Sequence, residues 1–326
     1  MKPHVSHIGE KIIASILVVL VLFALCVSCS EKPEEPEEVR FNVESNLEGT
    51  SSFLKDIDKL KHKATNPPST SPIFRWDFSK ANVIHTYAYK QEVRSKTDMG
   101  RSFGGKSGDM KQEMTAKGLL LIKSQGDSTA ELVLKDMKTS MKMDRGEDEP
   151  KIMEQKMPPF VVQGMKEDGS GSFGNSSQDM LLKMLFPLPP KSIKVGESID
   201  VPAQMPFNAM GSMLQVTGRS RITLTRYVKI GDKTCVQLDV DTDISKLKVP
   251  AELKGEYKCS TKGTSVFYFD IANRSFVSGT IAMIMQFTID APMPQMNIPG
   301  EDTSDMPKRS KMSMVSDNFI KVKLKE

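Results

Sequence analysis

Histidine, cysteine and tryptophan are scarce here: four, four and one among 326 residues. Beyond the first 28 residues only His62, His85, Cys29, Cys235 and Cys259 remain, with no CxxC pair, so no zinc donor set can be read. Catalytic signatures are missing too. Gly169-Ser170-Gly171-Ser172-Phe173-Gly174 is not G-x-S-x-G, and it lacks the lysine of a phosphate-binding loop. A Gly/Ser run of this kind reads as a loop. Asp and Glu are plentiful, which leaves a glycosidase-type carboxylate pair open. Charge of one sign is also lacking. The 45 Lys and Arg are spread among 41 Asp and Glu, for a net charge of +4. No basic block with interleaved aromatics appears, so nucleic acid is not an expected partner. No cofactor, no metal and no enzymatic activity are expected.

The first thing present is an apolar run from Ile12 to Leu25, preceded by Lys2 and Lys11 and followed by Cys26-Val27-Ser28-Cys29. It is shorter than the ~20 residues of a membrane span. A charged start, an apolar middle and a small residue at the end make a secretory signal. With Cys29 at the cleavage point, it resembles the lipobox of bacterial lipoproteins, although Cys26 stands where Leu is usual. The resemblance implies a signal peptide over residues 1–28, diacylglycerol on Cys29 and anchoring to a membrane of the bacterial cell envelope. Family chemistry supplies three acyl chains in Gram-negative members, and one chain alone holds only marginally. Ser30, rather than Asp, after Cys29 favours the outer membrane by the same resemblance.

About 298 residues would remain after cleavage, enough for one large β domain or two smaller ones. Ser30 to Arg40 is rich in Pro and Glu and reads as an extended tether. Phe53, Leu54, Ile57 and Leu60 recur at helical spacing, with Ser51 or Ser52 as N-cap, which predicts a short helix over 51–63. The division expected is 29–72 for anchor, tether and helix, then 73–326 for a folded domain.

From Ile73 onward the pattern has period two. Val83, His85, Tyr87, Tyr89 and Val93 share one strand face; Val277, Ile281, Met283, Met285, Phe287 and Ile289 share another. Turns are marked by Gly126-Asp127, Gly231-Asp232, Glu167-Asp168-Gly169 and Asn273-Arg274. Met180, Leu181, Met184 and Leu185, stopped by Pro187, form a covering helix. The fold expected is mainly β: a large curved antiparallel sheet, with hints of duplication and one or two short covering helices.

Trp76-Asp77-Phe78, Tyr87-Ala88-Tyr89, Leu185-Phe186-Pro187-Leu188-Pro189 and Lys194-Val195-Gly196-Glu197-Ser198 together resemble an uncharacterised family of bacterial lipoproteins carrying a domain of unknown function, over roughly residues 73–325. The layout is also similar, in architecture alone, to LolA-like lipoprotein carriers, whose curved sheet cups acyl chains. Neither likeness assigns a catalytic residue.

Four groups of side chains stand out. Cys235 and Cys259 are the pair left in an exported chain, which predicts a disulfide, with two free thiols as the alternative. Asp239, Asp241 and Asp243 line one strand face; a calcium site competes with a solvated face, and the latter fits better without a glycine turn or later glutamate. Methionine is abundant, at 22 residues, with Met-x-Met at 141–143, 283–285 and 312–314. Copper(I) ligation is one reading; a flexible apolar lining fits better. The ligand-lining candidates are therefore Met180, Met184, Met283, Met285 and Phe287. The functional expectation is a lipid-anchored binding or interaction module for an envelope protein. The alternative is a carrier or sensor of a hydrophobic ligand, and a hydrolase stands third.

Overall fold

The computed structural model describes residues 51–57, 62–69, 71–98, 109–144, 151–171, 182–209, 212–292 and 309–325. The signal, Cys29, the tether and Met180 lie outside the described residues.

Period-two burial produces strands, and they are long. β1 (Lys63–Ala64), β2 (Ile84–Asp98), β3 (Asp109–Ser124), β4 (Thr129–Asp144), β5 (Lys151–Lys156) and β6 (Phe160–Lys166) make the first half. β7 (Ser198–Ala209), β8 (Ser212–Ile230), β9 (Lys233–Lys248), β10 (Glu256–Asp270), β11 (Ser275–Pro292) and β12 (Arg309–Leu324) make the second. All belong to one 12-stranded antiparallel sheet, in the order β1-β8-β9-β10-β11-β12-β2-β3-β4-β5, with β6 also on β4 and β7 on β8. β12 pairs with β2, for example Ile320 with Gln91, and this joins the halves into one surface. Side chains from one face of β2–β4 and β7–β12 border a single cavity, so the sheet curls around it. That face is the concave one.

Two glycines sit where the ladder slips and the sheet bends. The register shifts at Gly118 between β3 and β4, and at Gly218 between β8 and β9. A Cβ on Gly118 would run into the Met137 sulfur, and one on Gly218 into the Asp243 carbonyl. Bulges increase twist and curvature, and glycine permits the close approach.

The predicted 51–63 helix is a 3₁₀ turn over Ser52–Asp56, and Ile57 is already extended. Ser51 is its cap, accepting from the Phe53 N–H. The turn is short because its two buried residues, Phe53 and Ile57, dock directly on the convex face beside Val266, Tyr268, Ala282 and Phe319. Asp317 ties it down by accepting from the Ser51 and Ser52 hydroxyls, 2.5 Å each. Lys63–Ala64 then pairs with Val228 and Lys229 on β8, so the folded unit reaches back to Ser51.

The expected Cys235–Cys259 disulfide is overturned: both thiols are free and buried. Cys235 stands level with Asp270 on β10, eleven residues along that strand from Cys259. At the strand rise that is roughly 35 Å, against the ~7 Å that a disulfide spans. They also pack on opposite faces, Cys235 with Phe53 and Tyr268, Cys259 with Tyr257 and Phe287. The β11 face needs a correction as well. A register shift beside Tyr268 and Phe269 turns Val277 to the convex cluster and places Phe276 in the main core instead.

Candidate functional site: a cavity on the concave face

One end of the concave face, beside the hairpin tips, is filled. Residues 73–78 alternate exposed and buried, sending Phe74, Trp76 and Phe78 inward. The segment's backbone is held by the two turns read from sequence. Trp76 N–H donates to the Glu167 carbonyl at 2.7 Å, and the Arg274 guanidinium donates to the Trp76 carbonyl at 2.8 Å. Asp270 shapes the second turn by accepting from the Ala272 and Asn273 N–H groups.

The second strap starts as a helical turn at Leu182–Leu185, closed by Phe186 N–H donating to the Leu182 carbonyl. Pro187 cannot continue it, and Pro189 and Pro190 follow. Gly196, at φ +83°, then makes the turn into β7 while donating to the Leu224 carbonyl. Phe186 packs at 5.4 Å from Trp76, 5.3 Å from Tyr87 and 5.3 Å from Phe276, ring centre to ring centre. This aromatic cluster is a plug at favourable ring separations. His85 sits on its rim, its ring centre 5.9 Å from that of Trp76 and tilted to it, and burial pushes its pKa down. Tyr87 donates to the Phe276 carbonyl at 2.9 Å, and burial pushes its hydroxyl pKa well up.

Past the plug the same face borders a cavity of about 1060 Å³. That is at the upper end of ordinary ligand pockets, about 300–1,000 Å³. Eight methionines line it: Met114, Met137, Met141, Met157, Met184, Met205, Met283 and Met285. Among the predicted lining residues, Met184, Met283 and Met285 reach the wall. Phe287 does not; it packs farther along with Leu214, Cys259 and Ile289. Met141 lies on the wall, but Met312 and Met314 lie beyond it with Phe287, so the Met-x-Met pairs do not converge.

Charge on the wall is confined to Arg75, Asp168 and Lys183, all exposed. Burial works against the Asp168 carboxylate, but the Ser170 hydroxyl and N–H, with Lys166 and Arg75 nearby, hold its pKa below the usual value. The Asp239, Asp241 and Asp243 row lies on the other face of β9 from Val240, away from the cavity. Asp241 and Asp243 stand opposite Arg221 and Arg219 on β8, and those arginines also grip Asp200 on β7 at 2.8 Å and 3.0 Å. Asp241 and Asp243 are thus cross-strand charge pairs, while Asp239 stands opposite Thr223 and accepts from Gln237.

Sequence reasoning missed Phe74 and Phe186 as plug residues, and Met114, Met137, Met157 and Met205 as wall. For Met114, Met137 and Met205, parity within β3, β4 and β7 was a signal; Phe74, Phe186 and Met157 lie outside strands and offered none.

No known protein family matches the chain by sequence, and no curated protein is similar to it. Among solved structures, a lipovitellin described for its lipid–protein interactions aligns over 76% of this chain at 9% identity, with a TM-score of 0.38. This chain spans 25% of that one. OccK7 (OpdD) of Pseudomonas aeruginosa aligns over 74% of this chain and 99% of its own at 7% identity, with a TM-score of 0.22. Likenesses this shallow carry no functional weight.

Proposed function

We propose that this chain is a non-catalytic carrier or sensor of a hydrophobic ligand, held at a membrane of the bacterial envelope through lipidated Cys29. The observation that carries the reading is the methionine-lined cavity between the curled sheet and its straps. A rigid core favours branched side chains packed without voids; methionine suits an adaptable binding wall. An interaction module alone would not need such a space. The membrane attachment rests on the layout that ends at Cys29 and on the resemblance to lipoproteins. Ser51, where a tether from Cys29 would meet the fold, is fixed to Asp317 on the convex face.

The test is native mass spectrometry of the protein purified from the envelope without detergent. Co-purified lipid, lost on extraction with organic solvent, is the expected result. A chain that is empty as isolated and stays empty after exposure to lipid vesicles would reject the carrier reading. Separately, Cys29→Ser should end palmitate labelling and move the protein to the soluble fraction.

A further inference from the structure

One cross-strand row on the convex face carries charge of a single sign. Lys321 on β12, Lys90 on β2, Lys117 on β3, Lys138 on β4 and Lys156 on β5 stand directly opposite one another across five neighbouring strands. At the spacing of paired strands the row is roughly 19 Å long. These side chains point away from the cavity, because Gln91, Ala116, Thr139 and Gln155, beside them in sequence, are on its wall. Lys117, Lys138 and Lys156 are exposed. Four residues along the same strands a different row appears. Asp317, Arg94, Glu113 and Lys142 cross β12, β2, β3 and β4 and alternate in sign at every step.

Like charges directly opposite on paired strands destabilise a sheet. The lysine row therefore costs stability where the alternating row adds to it. Little within the fold offsets that cost. Lys90 pairs with Glu92 on its own strand, and Lys117, Lys138 and Lys156 make no ion pair among the described residues. Edge protection accounts for Lys156 on the outermost strand, but not for Lys90, Lys117 and Lys138 on interior ones. Apolar side chains lie beside the row. Leu119 stands two residues past Lys117, and Leu121, Val133 and Val161 then run side by side on β3, β4 and β6. Val161 is 44% exposed. No aromatic ring stands among them, as a single-stranded nucleic acid would use for stacking. Ser51, the first described residue, is bound to Asp317 on this same face.

From this row we infer that the convex face of β12 and β2–β6 docks on an anionic lipid bilayer. The lysines would lie among the phosphate headgroups, with the leucine and valine side chains at the headgroup border. This inference rests on the membrane attachment in the carrier reading and gives the attached domain an orientation.

The Cys29→Ser chain, prepared without detergent and with no acyl chain to hold it, is sedimented with vesicles of phosphatidylcholine alone or with about one part in three phosphatidylglycerol. Binding should require phosphatidylglycerol and fall by about tenfold or more between about 0.05 M and 0.5 M salt. Lys117→Gln, Lys138→Gln and Lys156→Gln combined should weaken it by about a hundredfold. The melting temperature of that variant should hold or rise, because like-charge neighbours are removed. A matched triple, Lys229→Gln, Lys254→Gln and Lys258→Gln, changes the net charge equally at exposed positions of β8–β10 and should bind as the parent does. Binding to neither vesicle, equal binding to both, or equal losses in the two triples would overturn the inference. So would retention on heparin through the same three lysines without vesicle binding, which would give the row to a soluble polyanion. The carrier reading is decided separately, by lipid co-purified in the cavity.

Discussion

At the hairpin end of the concave face, Trp76, Phe186 and Phe276 stand 5.3–5.5 Å apart, ring centre to ring centre. A few residues along the same strands, Met141, Met283 and Met285 border a cavity of about 1060 Å³. Both regions obey the same alternation on the same sheet. They differ in what lies across them. At the plug, two straps cross the strands and each brings aromatic rings, with backbone groups satisfied by Glu167 and Arg274. Beside the cavity, the wall is built from long flexible side chains and small polar ones. A buried strand face is thus only half of a core; the covering segment decides whether the face packs or binds.

The sharpest way to break that comparison is to remove a plug ring. Phe186→Ala should destabilise the domain by about 3–5 kcal/mol, since it deletes a fully buried aromatic. The loss should appear in chemical denaturation followed by Trp76 emission. A change below about 1 kcal/mol would mean the plug is loosely packed, like the cavity wall.

Curvature is the next element to test. Gly118→Ala should cost about 1–3 kcal/mol by overpacking against Met137. Met137→Ala in the same chain should recover part of it. Simple additivity of the two changes would show that the contact between them is not the cause.

Met285→Asp separates the regions most directly. On a cavity wall the carboxylate can stay hydrated, so stability should change by no more than about 1 kcal/mol while lipid retention is lost. A collapsed melting transition would make Met285 ordinary core, as Phe276 is.

The smallest effect concerns the packed patch beyond the cavity. Burial pushes the Cys259 thiol up to about 12, from an ordinary 9.0. A pKa raised on folding means that this thiol's contribution is intact below pH 9 and is lost as pH climbs from 9 toward 12. Cys259→Ala should therefore flatten the fall in stability over that window, measured by urea melts at pH 8 and pH 10.5. Both cysteines should resist alkylation in the folded protein and label fully in urea. Rapid labelling of Cys259 in the native state would extend the cavity through the patch formed with Tyr257 and Phe287.

Much of the sheet was legible in the sequence. The faces of β2 and β9, the Gly231-Asp232 tip and the Asn273-Arg274 turn follow from local spacing and turn chemistry, which need no partner to be read. Met184, Met283 and Met285 were legible for the same reason. Val277 was misplaced because a bulge shifts parity within a run that looks uniform. The disulfide was wrongly expected because pairing two cysteines by elimination ignores register, and register set them on opposite faces. Of the 51–63 helix, the described residues show one turn that ends before Ile57, because tertiary docking of Phe53 and Ile57 outweighed helical spacing.

By itself, the sequence determined that this chain forms long antiparallel strands with one strongly apolar face, because alternation and turn residues act over a few positions. The tertiary structure alone decided that the sheet is continuous through β12 and β2, that Gly118 and Gly218 bend it, and that Ser265 and Thr139 fall in one cross-strand row. Those outcomes depend on which distant strands pair and in what register. Strand pairing between residues such as Gln91 and Ile320, more than 200 positions apart, fixes them, and no local pattern encodes such a pairing.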